Sequence, residues 1–212
     1  MIPPGSWRSM ILTAGASLWL TSVCAGMGIL LQYASTAGDP GEPPPVWPAD
    51  TSLAPPKGRP VLVMMAHPRC PCTRASLEEL SRLMAGLQGR LDARVVFYAP
   101  TDAGEEWWRT DLWTSAAAIP GVEVILDKDG AAAQRFHTET SGHALLYDAR
   151  SRLEFSGGIT VARGHAGDNV GRSAIEALIA GDVTVLRQAP VFGCALHNPA
   201  TMSTGTEGAW KR

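Results

Sequence analysis

The sequence predicts an α/β sandwich, a central mixed sheet with helices on both faces, preceded by one membrane-spanning helix. Three observations point there. Short apolar runs alternate with helical stretches between residues 61 and 136, and two later strands flank a tight turn. Ahead of them, Ser9 to Gly38 carries no charged residue.

The elements follow in order. Met10 to Ala34 is apolar enough and long enough to span a hydrocarbon core. Arg8 lies before it, and the first charges after it are Asp39 and Glu42. By the positive-inside tendency, residues 1–9 are expected in the cytoplasm and residues 10–34 in the inner membrane as a single-pass anchor. Everything beyond is then expected in the periplasm or an equivalent extracytoplasmic space. A cleaved signal peptide is the rival reading, because Ser35-Thr36-Ala37 resembles a cleavage site, but the apolar stretch is longer than a usual signal core. Cys24 falls inside that stretch, and Thr21-Ser22-Val23 before it makes a poor lipid-attachment box. Residues 35–60 hold eight prolines between Gly38 and Pro60 and read as a stiff, extended linker.

A domain is expected over residues 61–182. Val61–Ala66 is a short continuous apolar run, suited to a strand buried on both faces. Thr73–Gln88 sets Leu80, Leu83, Met84 and Leu87 on one helical face, with Glu78 and Arg82 spaced to pair on the other. Arg94–Ala99 reads as a second strand, Glu105–Ala118 as a helix carrying Trp107, Trp108 and Trp113, and Val122–Leu126 as a third strand. Asp127 to Gly130 is a turn signal and Ala131–Phe136 a short helix. Ala144–Tyr147 and Leu153–Ser156 form a hairpin about Asp148–Ser151. A Gly-rich loop, Gly157–Asn169, leads to a helix over Gly171–Ala180 that Gly181 stops. Residues 183–212 form an extension carrying Cys194, with 198–212 expected to be flexible.

Charge excludes one class of function. The formal net charge is −2 and no run of Lys or Arg occurs, so a nucleic-acid partner is not expected. The four cysteines, Cys24, Cys70, Cys72 and Cys194, are too few for a disulfide scaffold in 212 residues. The close pair therefore reads as chemistry. A cysteine in the first turn of a helix sits at the positive end of the helix dipole, where its thiolate is favoured, and Arg69 and Arg74 add charge nearby.

A buried strand that ends in a Pro-containing cysteine turn and opens an amphipathic helix, VLVMMAHPRCPCTRASLEEL, resembles the thioredoxin superfamily. With the anchor and Pro-rich spacer, the chain is similar to the membrane-anchored, exported thioredoxin-like proteins of bacteria. The resemblance covers about residues 60–182 and implies a three-layer sandwich. Two departures stand out. Cys70 and Cys72 are separated by Pro71 alone, where the family has two residues between its cysteines. A disulfide across one residue closes a small ring with little freedom, so it is expected to be strained and easily reduced. Alternatively Cys70 is the nucleophile, Thr73 takes the second slot of the family pattern, and a distant thiol resolves. The family's proline before the hairpin strand is also missing, and the resemblance places His143 there, facing the cysteines. Topology brings Arg163, His165, Asp168 and Asn169 to the same end of the sheet, with Asp168 or Asn169 as the helix cap. Cys194 is a candidate resolving thiol or third sulfur.

The expected site is thus Cys70, Cys72, Arg69, His143, Arg163, His165 and Cys194. The function this implies is a membrane-anchored thiol–disulfide oxidoreductase with no organic cofactor, acting on protein thiols or disulfides and a redox partner. The alternative is Cu(I) or Zn binding by Cys70 and Cys72 with His143 as third ligand, or with His67, His165 or Cys194 in its place. A thiol peroxidase using Arg163 and a purely structural module are the remaining readings.

Overall fold

The structure, a computed structural model, describes residues 6–196. Residues 1–5 of the expected cytoplasmic segment and the expected flexible stretch 198–212 lie outside the described residues. The chain divides into two compact units, one up to Thr36 and one from Ala37 onward. The first is a single helix, α1 (Ser6–Ser35), of 30 residues. At 1.5 Å per residue it is about 45 Å long, and it is long and apolar enough to cross a membrane. Its apolar side chains surround the whole circumference, and Leu12, Trp19 and Ile29 are exposed.

The second unit is built on five strands: β1 (Val61–Ala66), β2 (Asp92–Ala99), β3 (Val122–Lys128), β4 (His143–Tyr147) and β5 (Leu153–Gly157). Their order in the sheet is β3-β2-β1-β4-β5. β1 runs parallel to β2, and β2 to β3, while β4 is antiparallel to both β1 and β5. The helices are α2 (Pro71–Gly86), α3 (Glu105–Trp108), α4 (Asp111–Ala117), α5 (Ala131–Arg135) and α6 (Val170–Ala180).

Strand alternation sends successive side chains to opposite faces. Leu62, Met64, Ala66, Ala144 and Leu146 face one core, which α2, α4 and α6 close with Leu80, Leu83, Leu112 and Ile175. Val61, Val63, Met65, Leu145 and Tyr147 face the other, closed by Ala132 and Ala133 of α5 and by Phe136 just after it. The middle strand β1 is buried throughout, as its unbroken apolar run requires. Asn169 caps α6, accepting the backbone N–H of Arg172 at 2.8 Å, and Gly181 ends it at φ 94°.

Two regions differ from expectation. Glu105–Ala118 is two helices, because Thr110 leaves helical geometry and its hydroxyl donates to the Pro68 carbonyl at 3.0 Å. The Pro-rich stretch expected as a spacer instead packs along the domain. Trp47 is buried against Phe136 and Tyr147, with ring centroids 5.0 and 5.1 Å away. The Tyr147 hydroxyl donates to the Pro44 carbonyl at 2.9 Å, and Leu153 N–H to that of Pro45 at 2.9 Å. Prolines keep this segment extended, which leaves its carbonyls turned out as acceptors for the sheet edge.

Candidate functional site: a three-thiol cluster

The site begins where β1 ends. His67 turns the chain: its carbonyl accepts the N–H of Cys70 at 3.1 Å, and its own N–H donates to Ser141 Oγ at 2.9 Å. Cys70 is the N-cap of α2 in extended geometry, and Pro71 occupies the first helical position, where a missing N–H costs nothing. Cys72 and Thr73 follow in the first turn. Thr73 Oγ1 lies 3.2 Å from the His67 carbonyl and 3.0 Å from Ser141 Oγ, so β1, α2 and the entry to β4 are tied at one point.

The extension after α6 completes the site. Residues 187–189 run beside β5, with Ser156 N–H donating to the Arg187 carbonyl at 2.9 Å. Val191 and Leu196 are buried, and the Cys194 carbonyl accepts the N–H of Ser141 at 2.8 Å. This strap carries Cys194 back to α2. The sulfurs of Cys70, Cys72 and Cys194 all lie within 4.8 Å of one another, and all three are free thiols. Cys70 and Cys72 are buried, at 2% and 6% exposure, whereas Cys194 is part-exposed. An open groove of about 790 Å³ runs beside Cys194, lined by Asp39, Glu42, Glu139, Thr140 and Arg163 among others.

The three thiols are electrostatically unequal. Burial opposes the Cys70 thiolate, but hydrogen bonds from the Cys194 thiol and N–H, and from the N–H groups of Cys72 and Thr73, outweigh it and lower the pKa. Cys70 makes no regular side-chain cap bond; the N–H groups at the helix start favour its charged form. Burial and then the Cys70 charge push Cys72 up. Burial, the bond to Cys70 and both neighbouring charges push Cys194 up to about 12. Arg163 opposes the rise at Cys72 and at Cys194.

The other expected site residues divide. Arg163 is brought to the cluster and donates to the Gly193 carbonyl on the strap. Arg69 is not directed at the sulfurs: its guanidinium lies 5.0 Å from the Trp107 ring centroid, and Nε donates to the Trp107 carbonyl. Arg74 pairs with Asp111. His165 is exposed, with Nδ1 2.7 Å from the Arg163 carbonyl, so it shapes the loop and makes no contact with the thiols. Asp168 is exposed and pairs with Arg172. His67 stacks on Tyr98 at 5.9 Å and meets Trp107 edge-on at 5.5 Å, and burial, then Arg69, lowers its pKa.

His143 requires a correction. It is a paired strand residue opposite Met65, on the sheet face of Leu145 and Tyr147, and its Nε2 lies 2.9 Å from Ser156 Oγ. Burial pushes its pKa down to about 4, against the Pro40 backbone carbonyl. The position facing the α2 start belongs to Ser141, two residues earlier, and among the described residues no peptide bond is cis.

Glu79 is a further residue of the site, and helix spacing alone does not reveal it. Wholly buried on α2, its carboxylate accepts from Gly167 N–H at 2.8 Å and Asn169 Nδ2 at 3.2 Å, and pairs with Arg82 and Arg172. It therefore holds the Gly-rich loop that presents Arg163.

A central strand passing through a cysteine turn into a helix, flanked by two parallel strands on one side and an antiparallel hairpin on the other, decides the fold. The chain has the thioredoxin-like fold. No protein-family model matches the sequence, and no curated protein does. Among solved structures, a hypothetical protein from Sinorhizobium meliloti 1021 aligns at TM-score 0.56 and 20% identity, over 77% of this chain and 96% of its own. An uncharacterized conserved protein from Geobacillus kaustophilus aligns at TM-score 0.57 and 16% identity, over 78% and 94%. A secreted Mycobacterium tuberculosis disulfide oxidoreductase aligns more loosely, at TM-score 0.44 and 14% identity, over 59% and 84%. In the thioredoxin-like domain of this chain, the strap thiol Cys194 joins the helix-start pair.

Proposed function

We propose that this protein is a membrane-anchored, extracytoplasmic thiol–disulfide oxidoreductase whose working pair is Cys70 and Cys194. The observation that carries the reading is the approach of three free sulfurs to within 4.8 Å, one of them part-exposed and two buried. A helix of α1's length and composition supports anchoring in the inner membrane with the domain in the periplasm. That compartment tolerates disulfides.

Access divides the labour. In the oxidised state Cys70 and Cys194 share an S–S bond. A partner thiolate attacks Sγ of Cys194, the part-exposed cysteine of the three, and that bond breaks. Cys70 leaves as a thiolate, the form favoured by the N–H groups of Cys72 and Thr73. The partner is then held to Cys194 as a mixed disulfide. A second partner thiol attacks the partner's own sulfur, a partner disulfide forms, and the Cys194 thiol is released with both electrons now on this protein. Run in reverse, the cycle reduces a partner disulfide. The groove beside Cys194 offers the partner chain a place to lie.

The test equilibrates full-length protein in detergent micelles with glutathione couples, blocks free thiols and maps cross-linked peptides by mass spectrometry. A Cys70–Cys194 linkage that opens and closes with the couple is expected. If the domain cysteines stay as thiols under every couple, the oxidoreductase reading fails.

A further inference from the structure

The same trio has a second chemistry that electron transfer does not use. We propose that reduced Cys70, Cys72 and Cys194 bind one Cu(I) ion as a three-coordinate trithiolate site. Metal–sulfur bonds of about 2.3 Å hold three sulfurs about 3.8–4.0 Å apart in tetrahedral or trigonal geometry. Sulfurs already within 4.8 Å of one another need only a small contraction to reach this.

The donor set selects the ion. Thiolates favour soft cations, Cu(I) and Zn among them. Structural zinc sites take four protein ligands. Among the described His, Cys, Asp and Glu residues, the gathered group is these three cysteines alone. Three histidines are engaged elsewhere. His143 lies on the other sheet face beside Ser156, His165 is turned to the Arg163 carbonyl, and His67 Nδ1 accepts the N–H of Arg69. Three sulfurs with no fourth ligand suit trigonal Cu(I).

Charge and burial agree with this choice. Binding replaces three S–H protons, Cu⁺ + 3 RSH → [Cu(SR)₃]²⁻ + 3 H⁺, with no change of oxidation state. The resulting −2 charge lies beside Arg163, whose guanidinium acts on Cys72 and Cys194, and at the N-terminal turn of α2. Two of the three ligands are buried, which keeps water off the ion.

The experiment titrates full-length protein, reduced and anaerobic in detergent micelles, with Cu(I) against a chromophoric Cu(I) chelator, and reads the copper environment by X-ray absorption. One ion per chain with three sulfur neighbours is expected. Cys70→Ser, Cys72→Ser and Cys194→Ser should each weaken binding at least tenfold, and Cys24→Ser should leave it unchanged. Circular dichroism identifies any variant that fails to fold, and the coordination number of the unaltered protein does not depend on variants. Two-sulfur coordination, or affinity indifferent to Cys194→Ser, overturns the proposal. So does a nitrogen-containing four-coordinate site revealed by cobalt(II) absorption. Disulfide mapping on metal-free protein stands apart: if Cys70–Cys194 forms and copper does not bind, only this inference falls. If copper binds and no disulfide cycles, the oxidoreductase reading falls instead.

Discussion

Ser141 donates its backbone N–H to the carbonyl of Cys194 at 2.8 Å, and its hydroxyl lies 3.0 Å from that of Thr73. One residue thus joins the strap to the first turn of α2, and the distance between Cys194 and Cys70 depends on how closely the strap can approach. Gly193 makes the approach possible. A Cβ there would sit 1.8 Å from the Ser141 carbonyl oxygen, so any side chain forces backbone to move. Gly193→Ala is expected to cost about 1–3 kcal/mol by overpacking. It should also slow formation of the Cys70–Cys194 disulfide at least tenfold, read by quenched thiol trapping over time. An unchanged rate would mean that strap position does not govern the cysteine pair.

Glu79 places a carboxylate where water cannot reach it, and four groups converge on it: Gly167 N–H, Asn169, Arg82 and Arg172. Glu79→Gln keeps the shape and removes the charge. Arg172 retains Asp168 and Glu176 as neighbours, and Arg82 is part-exposed, so the loss falls below that of an isolated buried pair. About 1–3 kcal/mol is expected in urea unfolding. The Gly-rich loop should loosen first, seen as faster amide exchange at residues 163–169 with α2 little changed. Equal acceleration throughout the domain would contradict a local role.

Much of the fold was legible because its signals are local. β1 is an uninterrupted apolar run, α6 has its cap and its glycine stop, and the hairpin has its Asp148 turn. What sequence reasoning missed depends on contacts between distant residues. The break at Thr110 follows from a bond to Pro68, 42 positions away. Glu78 and Glu79 are neighbours of one type; spacing pairs Glu78 with Arg82, and only tertiary contacts show that Glu79 is the buried one. The resemblance puts His143 just before the hairpin strand, but the strand already begins there, and strand parity turns its ring to the other face. Cys194 could be nominated from sequence as a third thiol. Its delivery to α2 required the glycines that let the strap pass close to the sheet, with Gly157 against Ala189 and Gly193 against Ser141.

The packing of the Pro-rich segment separates a wrapped segment from a free spacer. Trp47 makes edge-to-face contacts with Phe136 and Tyr147, and its Nε1 donates to the Leu53 carbonyl at 3.2 Å. Trp47→Ala is expected to destabilise the domain by about 3–5 kcal/mol, as for a large aromatic removed from a core. A loss under about 0.5 kcal/mol, the usual range for surface changes, would return the segment to the status of a spacer.

Stability should also depend on pH through His143. In the folded protein burial holds its pKa near 4, whereas an unfolded chain titrates near 6.5. As pH falls through 6.5 the unfolded chain takes up a proton that the folded chain refuses, so the equilibrium moves toward unfolding. The loss accumulates down to about pH 4 and then levels off, because both states are protonated below that point. At 1.36 kcal/mol per unit, the difference amounts to about 3 kcal/mol at most. Carboxylates add their own slope in this range, so the measurement is the difference between the parent protein and His143→Gln, which can still hydrogen-bond Ser156. Thermal unfolding from pH 7 to 4 should give the variant a shallower decline, although it starts less stable at pH 7. Parallel curves for the two proteins would place the source of acid sensitivity elsewhere.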